Sequence, residues 1–407
     1  MKDSRKSPAS AGDAETTGQV REPLQSVLET CAGCDICRKE CAFLRKYGTP
    51  KEIADRYDPS RKEDRGMPFE CSLCGLCTAV CPLGVDPAGL FLAMRRETVR
   101  LGGGIFPEHT PLTDYEARGT SRRYTYYGFP EACDTVFFPG CTLSGTRSEK
   151  VIRAYQHLKE RIPSLGIVLD CCMKPSHDLG REDHAMSMFA EMRAYLTEQG
   201  ITRVIVACPN CYRMFARYGG GPSITTLYEI LTIEGIERRD RVAGTVAVHD
   251  PCSIRFEEEI HKAVRDLLRN RGYGTEDMAH TGTRTLCCGE GGAVDFLAPD
   301  LADNWTKLRY DETARRQMVT YCAGCAARLG EITPTLHVLD ILWDGETDRY
   351  GRVKVTKPPL TYWKRLKLKR WFKEHVPAKV TRERTFTGMN KQKKGERGFL
   401  PLFVQIT

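Results

Sequence analysis

The middle of the chain alternates between short apolar runs and longer amphipathic stretches. Apolar runs rich in β-branched and aromatic residues are typical of buried strands, and they begin at Thr135, Ile167, Arg203, Val246, Thr285 and Met318. Apolar positions recur at helical spacing in residues 151–162, 183–198 and 260–268. Strands that alternate with helices of this length predict α/β domains with parallel sheets.

These runs fall into two copies of one plan. In the first copy they are followed by Cys141, Cys171, Cys172, Cys208 and Cys211. In the second copy they are followed by Cys252, Cys287, Cys288, Cys322 and Cys325. We assign the copies to residues 133–240 and 241–350. Because the carboxyl ends of parallel strands meet at one edge of a sheet, each copy is expected to gather five thiols in one pocket.

Two further cysteine runs precede the repeat, and both have the spacing Cys-x2-Cys-x2-Cys-x3-Cys. The first run is Cys31, Cys34, Cys37 and Cys41, and the second is Cys71, Cys74, Cys77 and Cys81. Four thiolates at this spacing are typical of a [4Fe–4S] cube, and in two-cluster ferredoxins the fourth cysteine of each run binds the other cluster. A zinc site needs only two CxxC pairs and leaves the remaining cysteines unexplained.

The runs predict a helical, ferredoxin-like domain over residues 24–104 with two [4Fe–4S] cubane clusters. On the swapped pattern Cys81 would complete the first set and Cys41 the second. Ala42 follows Cys41, where a bacterial ferredoxin run has Pro. Helices are expected to begin at Pro50 and Pro87, each preceded by a capping residue. Residues 105–132 form a connector.

Composition and charge restrict the location and the partners. The chain has 19 cysteines in 407 residues, no apolar signal region and no run of about 18 apolar residues, which indicates a cytoplasmic protein with its thiols committed to clusters. Residues 1–23 are polar and predicted to be disordered. The net charge of +8 comes from residues 351–407, where 16 basic and 3 acidic residues sum to +13, so the rest of the chain sums to −5. A nucleic-acid partner is therefore not indicated.

The basic tail, residues 351–407, has an aromatic and basic segment at residues 362–373. If this segment is a helix, Trp363, Leu366 and Trp371 are predicted to share one side. The tail would then dock to an acidic partner, or peripherally to the cytoplasmic face of a membrane. The alternative is a helix that packs back on the body.

The order of these motifs over residues 28–345 resembles the CCG-domain iron–sulfur family. Its members include the B and D subunits of heterodisulfide reductase and the iron–sulfur subunits of glycolate oxidase and anaerobic glycerol-3-phosphate dehydrogenase. The resemblance implies that each five-cysteine set holds a non-cubane [4Fe–4S] cluster, with zinc or a simple cube as the alternative. Met173 stands where the family motif has Gly. This departure implies narrower access to the first site, or a relay role there.

Two functions compete at this point. The first is an oxidoreductase subunit of the heterodisulfide-reductase type, relaying electrons through two cubes to CCG-domain clusters that reduce or oxidise a disulfide or thiol. The second is a pure electron-transfer subunit that links a flavin dehydrogenase of the lactate, glycolate or glycerol-3-phosphate type to a membrane quinone or cytochrome. A zinc or iron–sulfur scaffold is a third. Since the chain has no flavin or nicotinamide motif, a redox partner subunit is expected.

Few residues outside the cysteine sets are candidates for chemistry. No catalytic residue is assigned. His249 precedes Cys252 and is a candidate proton donor, with a plain hydrogen-bonded histidine as the alternative. Cys133 is left over from the cysteine sets and is expected to be a small buried residue without a role.

Overall fold

The computed structural model describes residues 18–236, 244–343, 353 and 355–384. Residues 18–104 are helical and enclose two cysteine-bearing loops. The α-helices of this part are α1 Gly18–Thr30, α2 Ile36–Glu40, α3 Ala42–Tyr47, α4 Pro50–Arg56, α5 Lys62–Gly66, α6 Leu76–Ala79 and α7 Pro87–Arg100. A 3-10 helix spans Met67–Glu70.

Two helix starts follow the sequence pattern. At α4 the Thr49 hydroxyl accepts from the Glu52 amide at 3.3 Å, and the Glu52 carboxylate accepts from the Thr49 amide at 2.7 Å. At α7 the Asp86 carboxylate accepts from the Gly89 amide at 3.1 Å. The disorder predicted for residues 1–23 is wrong for residues 18–23, which belong to α1. That helix buries Val20 and Val27 in the domain core. Residues 1–17 lie outside the described part.

The first repeat is built on a six-stranded sheet in the order β10-β1-β3-β2-β4-β5. Its strands are β1 Tyr126–Phe129, β2 Thr135–Phe138, β3 Gly166–Leu169, β4 Arg203–Val206, β5 Ser223–Thr226 and β10 Val380–Arg382. Strands β2 to β5 are parallel, whereas β1 and β10 are antiparallel. The accompanying helices are α8 Thr110–Gly119, α9 Cys141–Thr146, α10 Ser148–Arg161, α11 Lys174–Asp178, α12 Glu182–Glu198, α13 Pro209–Tyr218 and α14 Leu227–Glu234.

The second repeat has a four-stranded parallel sheet in the order β7-β6-β8-β9. Its strands are β6 Gly244–His249, β7 Tyr273–Glu276, β8 Met318–Thr320 and β9 Thr335–His337. Its helices are α15 Glu258–Asn270, α16 Pro299–Glu312, α17 Ala323–Leu329 and α18 Val338–Leu342, with 3-10 turns at Cys252–Ile254, Gly282–Arg284 and Gly291–Phe296. Parallel sheets with interleaved helices confirm the predicted fold class.

The strand predicted at Thr285 is wrong. The strand beside β6 is β7, and residues 277–286 separate it from Cys287. Around Thr285 backbone carbonyls bond to side chains instead of to a neighbouring strand. The Thr285 hydroxyl donates to the Asp250 carbonyl at 2.8 Å, and Arg255 donates to the Thr285 carbonyl at 2.9 Å. The backbone here therefore gains its partners without pairing as a strand.

Both faces of the first sheet are buried. Along β2 the side chain of Phe137 faces one core, while Val136 and Phe138 face the other. The core around Phe137 continues into the second repeat, where it includes Val248 and Val319. A buried ion pair also joins the repeats, with Arg147 Nε lying 2.9 and 3.0 Å from the Asp340 carboxylate oxygens. The two sheets are therefore parts of one packed body.

The C-terminal segment packs on the first repeat. Helix α19 spans Leu360–His375, and strand β10 completes the sheet. The grouping predicted for this helix is wrong: Leu368 and Phe372 are buried, whereas Trp363 is 53% exposed. This is the packed-back alternative for residues 360–384. Residues 385–407 lie outside the described part. Within the described residues, no helix is long and apolar enough to cross a membrane.

Candidate metal centres

The loops of the helical domain gather the first eight thiols into two groups. One pocket is lined by Cys31, Cys34, Cys37, Cys77 and Cys81. Burial and the neighbouring thiols of that group raise the pKa of Cys37 to about 11. The Cys41 thiol lies among the thiols of the second run. Burial raises its pKa, and the nearby thiols of Cys74 and Cys71 raise it further. The fourth cysteine of each run thus lies beside the other run's first three.

The second repeat gathers five thiols where its strands end. Cys252 follows β6, Cys287 and Cys288 lie in a loop, and Cys322 and Cys325 flank the start of α17. Side-chain contacts join these thiols in the series Cys252, Cys287, Cys288, Cys325 and Cys322. The Gly289 amide donates to the Cys287 sulfur at 3.3 Å.

Gly289 is required by the backbone at this loop. Its φ is +103°, and a Cβ there would lie 2.6 Å from Thr306 Oγ1 and 2.7 Å from the Ala302 carbonyl oxygen. Only glycine combines this conformation with this close approach. The glycine therefore lets α16 pack directly against the cysteine loop.

The first repeat gathers its five thiols in the same way. Cys141 begins α9, Cys171 and Cys172 follow β3, and Cys208 and Cys211 flank the start of α13. Contact with Cys171 lowers the pKa of Cys141 to about 5. Gly140, with φ +84°, allows the approach of α13, since a Cβ there would lie 2.9 Å from Cys208 Cβ and 3.2 Å from Cys211 Sγ.

Met173 follows the Cys171–Cys172 pair in the position that Gly289 holds in the second repeat. Its backbone is also left-handed, with φ +63°, although it carries a side chain. That side chain is fully buried and packs in the core with Met188 and Phe189. The first repeat therefore carries a buried apolar side chain at the position where α16 leaves no room for one in the second repeat.

The two five-thiol sets adjoin each other. The side chains of Cys208 and Cys322 are in hydrogen-bonding contact. Contact with Cys211 and then with Cys322 lowers the pKa of Cys208 to about 5. The Tyr228 hydroxyl lies 2.7 Å from the Ala207 carbonyl and 3.0 Å from the Tyr321 carbonyl, the residues just before these two cysteines. Ten thiols thus form one continuous centre between the sheets.

The helical domain meets this centre at the second repeat. Cys74 packs with Cys252 and Cys287 in one buried cluster. Arg255 joins the same elements, since its Nε donates to the Cys74 carbonyl at 3.0 Å and its Nη2 to the Thr285 carbonyl at 2.9 Å. The four thiol sets therefore follow one another in space, from the Cys31 set to the Cys71 set, the second repeat and the first repeat.

Arg95 holds all three parts together. It is fully buried and donates to the carbonyls of Pro68 at 3.0 Å and Cys71 at 2.6 Å in the helical domain. It also donates to Asp178 at 2.7 Å in the first repeat and to Gly292 at 2.8 Å in the second. Sequence reasoning missed Arg95 and Arg255, because an arginine that donates to distant carbonyls leaves no spacing pattern.

His249 lies in a buried position beside the second five-thiol set. The side chain is fully buried, and Arg309 Nε donates to its Nδ1 at 3.0 Å. Burial and then the Arg309 charge lower the pKa of His249 to about 3, so the ring is neutral near pH 7. Because Nδ1 accepts, Nε2 carries the proton. A ring nitrogen and the sulfurs of Cys288 and Cys325 lie within 4.8 Å of one another, so the ring is positioned as a neighbour of these thiols.

The donor sets fit iron–sulfur clusters. All 19 cysteines are described, and none forms a disulfide. Crowded buried thiolates repel one another and need compensating positive charge, and thiolates in such numbers are soft ligands suited to iron–sulfur clusters. Cys133 stands apart from the sets, with its thiol donating to the Thr135 carbonyl at 3.3 Å.

Two protein-family models match the chain. A 4Fe-4S dicluster domain matches residues 30–86, and the CCG cysteine-rich domain matches residues 135–216 and 246–330. Together the matched segments contain every cysteine of the four sets. The unmatched stretches include α8, β1 and the C-terminal segment.

Several curated proteins are distantly similar. The B subunit of fumarate reductase (CoM/CoB) from Methanothermobacter marburgensis is 24% identical over 81% of this chain and 70% of its own length. The D subunit of dihydromethanophenazine:CoB–CoM heterodisulfide reductase from Methanosarcina barkeri is 24% identical over 68% of this chain and 81% of its own length. The chain therefore belongs to the CCG-domain iron–sulfur family and is distantly related to the D subunit of heterodisulfide reductase.

Proposed function

We propose that the chain is the iron–sulfur subunit of a heterodisulfide-reductase-type oxidoreductase. It takes up electrons at the helical domain and exchanges them with a disulfide or thiol substrate at the paired five-thiol sets. The observation that carries the proposal is the spatial order of the four sets, which runs without a gap from Cys34 to the contact between Cys208 and Cys322.

The proposed cluster ligands follow from the groups of thiols. One [4Fe–4S] cube would be held by Cys31, Cys34, Cys37 and Cys81, and the other by Cys71, Cys74, Cys77 and Cys41. The five thiols of each repeat would hold one further cluster. When bound, such clusters supply one-electron transfer at potentials set by burial and by hydrogen bonds to sulfur.

The exposure of the outer set supports its role in exchange with a partner. Cys34 is exposed, whereas Cys71 and Cys74 are buried behind it. A redox partner subunit, either a flavoprotein or a membrane cytochrome or quinone subunit, would contact the chain at the Cys34 loop. The related reductases are named as subunits, which supports the presence of such a partner.

The paired sets suit a two-electron substrate. Cleavage of a disulfide consumes two electrons and two protons, breaks one S–S bond and releases two thiols, so two adjoining one-electron sites match the requirement. The contact between Cys208 and Cys322 brings the repeats together where this exchange is proposed. The names of the similar proteins suggest the CoB–CoM heterodisulfide as the first substrate to test.

The test is anaerobic reduction of that heterodisulfide by the purified, iron-loaded protein, with reduced viologen dye as electron donor. We expect dye oxidation that depends on the disulfide, with two thiols released for each disulfide consumed. Cys208→Ser is expected to abolish turnover, whereas Cys133→Ser, outside all four sets, is expected to retain it. Iron-loaded protein that oxidises the dye with a quinone but releases no thiol from this or other small disulfides would contradict the proposal.

A further inference from the structure

Helix α19 lies outside the segments matched by the family models, yet it packs against the first cysteine site. It crosses α9, the helix that begins at Cys141. At Gly145 on α9, a Cβ would lie 3.2 Å from Thr361 Cβ and 3.6 Å from Arg365 Cδ. The small residue lets α19 approach closely enough for Arg365 to reach the site.

The Arg365 guanidinium lies beside the thiols. A Cβ on Gly119 would lie 3.4 Å from Arg365 Nη2 and 3.8 Å from Cys171 Cβ, so both residues lie next to this glycine. Arg365 and Cys141 also line one small cavity, together with Tyr124 and Asp170. The cation thus borders the site at Cys141, and Gly119 lies next to both Arg365 and Cys171.

Among the described residues this cation has few partners. Arg365 is 4% exposed, and its Nη2 makes only a long hydrogen bond of 3.5 Å, to the Gly119 carbonyl, within that part of the chain. Among the described residues Nη1 has no hydrogen-bond partner. The nearby Asp170 carboxylate is bonded by Arg384 Nη1 at 3.0 Å and by the Tyr127 hydroxyl. Because a buried cation without an anion is strongly destabilising, the arrangement calls for negative charge at the thiols.

Two tyrosines complete the surroundings. The ring centroids of Tyr115 and Tyr124 lie 5.5 and 5.1 Å from the guanidinium carbon of Arg365, within the range of a cation–π contact. The Tyr115 side chain is hydrogen-bonded to Cys141 as well. Cys141 therefore has a hydroxyl donor and a cation on the side that faces α19.

We propose that Arg365, supported by Tyr115, is a positioning residue that raises the reduction potential of the cluster bound by the first repeat. A fixed positive charge favours the reduced, more negative state of the nearby centre, and hydrogen bonds to sulfur act in the same direction. Electrons that arrive through the second repeat would then be drawn to the first. The proposal concerns potentials and does not depend on the substrate.

The arginines near the thiols of the second repeat are bonded to more protein groups. Arg309 Nη1 donates to the Glu312 carboxylate at 2.6 Å, and of its nitrogens only Nη2 lacks a hydrogen-bond partner among the described residues. Arg255 gives its nitrogens to the carbonyls of Cys74, Thr283 and Thr285. The first site therefore borders a cation without a bonded carboxylate among the described residues, whereas Arg309 is paired with one.

The experiment is an anaerobic redox titration followed by EPR, on the iron-loaded full chain and on Arg365→Gln. Loss or change of a signal in Cys141→Ser identifies the signal of the first site. In Arg365→Gln we expect its reduction equilibrium to shift about tenfold towards the oxidised state, which is about 59 mV for one electron. Arg370→Gln, at an exposed position of the same helix, is the matched control and is expected to leave the equilibrium unchanged.

Two further variants separate a change in potential from a loss of structure. Arg365→Lys keeps the charge and is expected to restore most of the shift, while Tyr115→Phe removes one donor and is expected to shift the equilibrium about threefold in the same direction as Arg365→Gln. If Arg365→Gln loses iron, these two variants decide the matter. An unchanged equilibrium in Tyr115→Phe and in whichever Arg365 variants keep full iron would overturn the proposal.

Discussion

The two cysteine-rich repeats carry the same five thiols on the same strand plan, but their surroundings differ. The second repeat is tied to the helical domain, with Arg255 joining it to Cys74. The first repeat is farther along the series of thiol sets and is bordered by α19 and Arg365. These different surroundings indicate that the repeated plan supplies equivalent ligands, while segments outside the repeats give each site its own electrostatic environment.

The loops after the double cysteines show the same divergence. Both loops pass through a left-handed residue, Met173 in the first repeat and Gly289 in the second. Gly289 has no room for a side chain, whereas Met173 buries its side chain in the core. One backbone conformation is thus kept for two different reasons, close packing in one repeat and core filling in the other.

The largest loss of stability is expected when the contacts that join the helical domain to both repeats are removed. Arg95→Ala leaves four buried carbonyls without their donor, so we expect the free energy of unfolding to fall by about 5 kcal/mol. Anaerobic urea unfolding followed by circular dichroism measures the change. Lys51→Ala, at an exposed position of α4, is the control. A loss below about 1 kcal/mol would show that Arg95 does not hold the three parts together.

A smaller loss of stability is expected when Gly289 of the second repeat is given a side chain. Gly289→Ala combines a strained φ of +103° with contacts of 2.6 and 2.7 Å to α16, so we expect a loss of about 3 kcal/mol. The same urea titration measures it. Ala replacement of Gly84, where φ is +68° and no atom lies within 4 Å of the added Cβ, isolates the backbone part. Equal losses in both variants would contradict the packing argument.

At Met173 replacement by glycine is expected to destabilise the protein less than replacement by alanine, which is the reverse of their usual order. Both Met173→Ala and Met173→Gly remove a fully buried side chain, but only glycine adopts φ +63° without strain. We therefore expect Met173→Gly to be more stable than Met173→Ala by about 1.5 kcal/mol in paired unfolding titrations. The opposite order would mean that the left-handed backbone relaxes when the side chain is lost.

The smallest effect is a loss of stability at acidic pH, caused by a histidine at the contact between the helical domain and the second repeat. His109 is 3% exposed and packs between Phe69, Phe106 and Phe296, and burial followed by the charge of Arg95 lowers its pKa to about 4. The unfolded chain binds a proton near the ordinary pKa of about 6.5, before the folded chain does. Stability due to this group is therefore present above that pH and is lost as the pH falls from there towards 4.

We expect the His109 contribution to fall by about 1 kcal/mol between about pH 7.5 and about pH 5.5. Urea unfolding at the two pH values measures it. In His109→Phe this part of the pH dependence should disappear, while His375→Phe, at an exposed site, should retain it. An unchanged dependence in His109→Phe would assign the acid sensitivity to other groups.

Regular spacing made much of the fold predictable. The cysteine runs, the capped starts of α4 and α7 and the runs that became β2, β3, β4, β6 and β8 all leave local patterns. The run at Thr285 predicts a strand because its residues are apolar and β-branched, but side-chain hydrogen bonds take over its backbone groups. Whether Trp363 or Leu368 of α19 is buried depends on the surface against which the helix packs. The spacing of apolar residues carries no information about that surface.

The surroundings of the thiols were less predictable than the thiols themselves. Arg95, Arg255 and Arg365 act over long distances in sequence, mostly on backbone carbonyls, and no motif marks them. The sequence correctly places His249 near a cysteine set, but the charge state of its ring depends on Arg309, which lies 60 positions away in sequence. Local spacing identifies candidate ligands, whereas tertiary contacts determine their electrostatics.

The most direct test of the central claim is the content of iron and acid-labile sulfide in anaerobically purified protein. If both repeats bind clusters in addition to the two cubes, we expect about sixteen iron atoms per chain, with Cys141→Ser and Cys252→Ser each losing about four. The leftover thiol provides the control, since Cys133→Ser should lose none. About eight iron atoms with added zinc, and no loss in either repeat variant, would contradict the claim that the two repeats are electron-carrying sites.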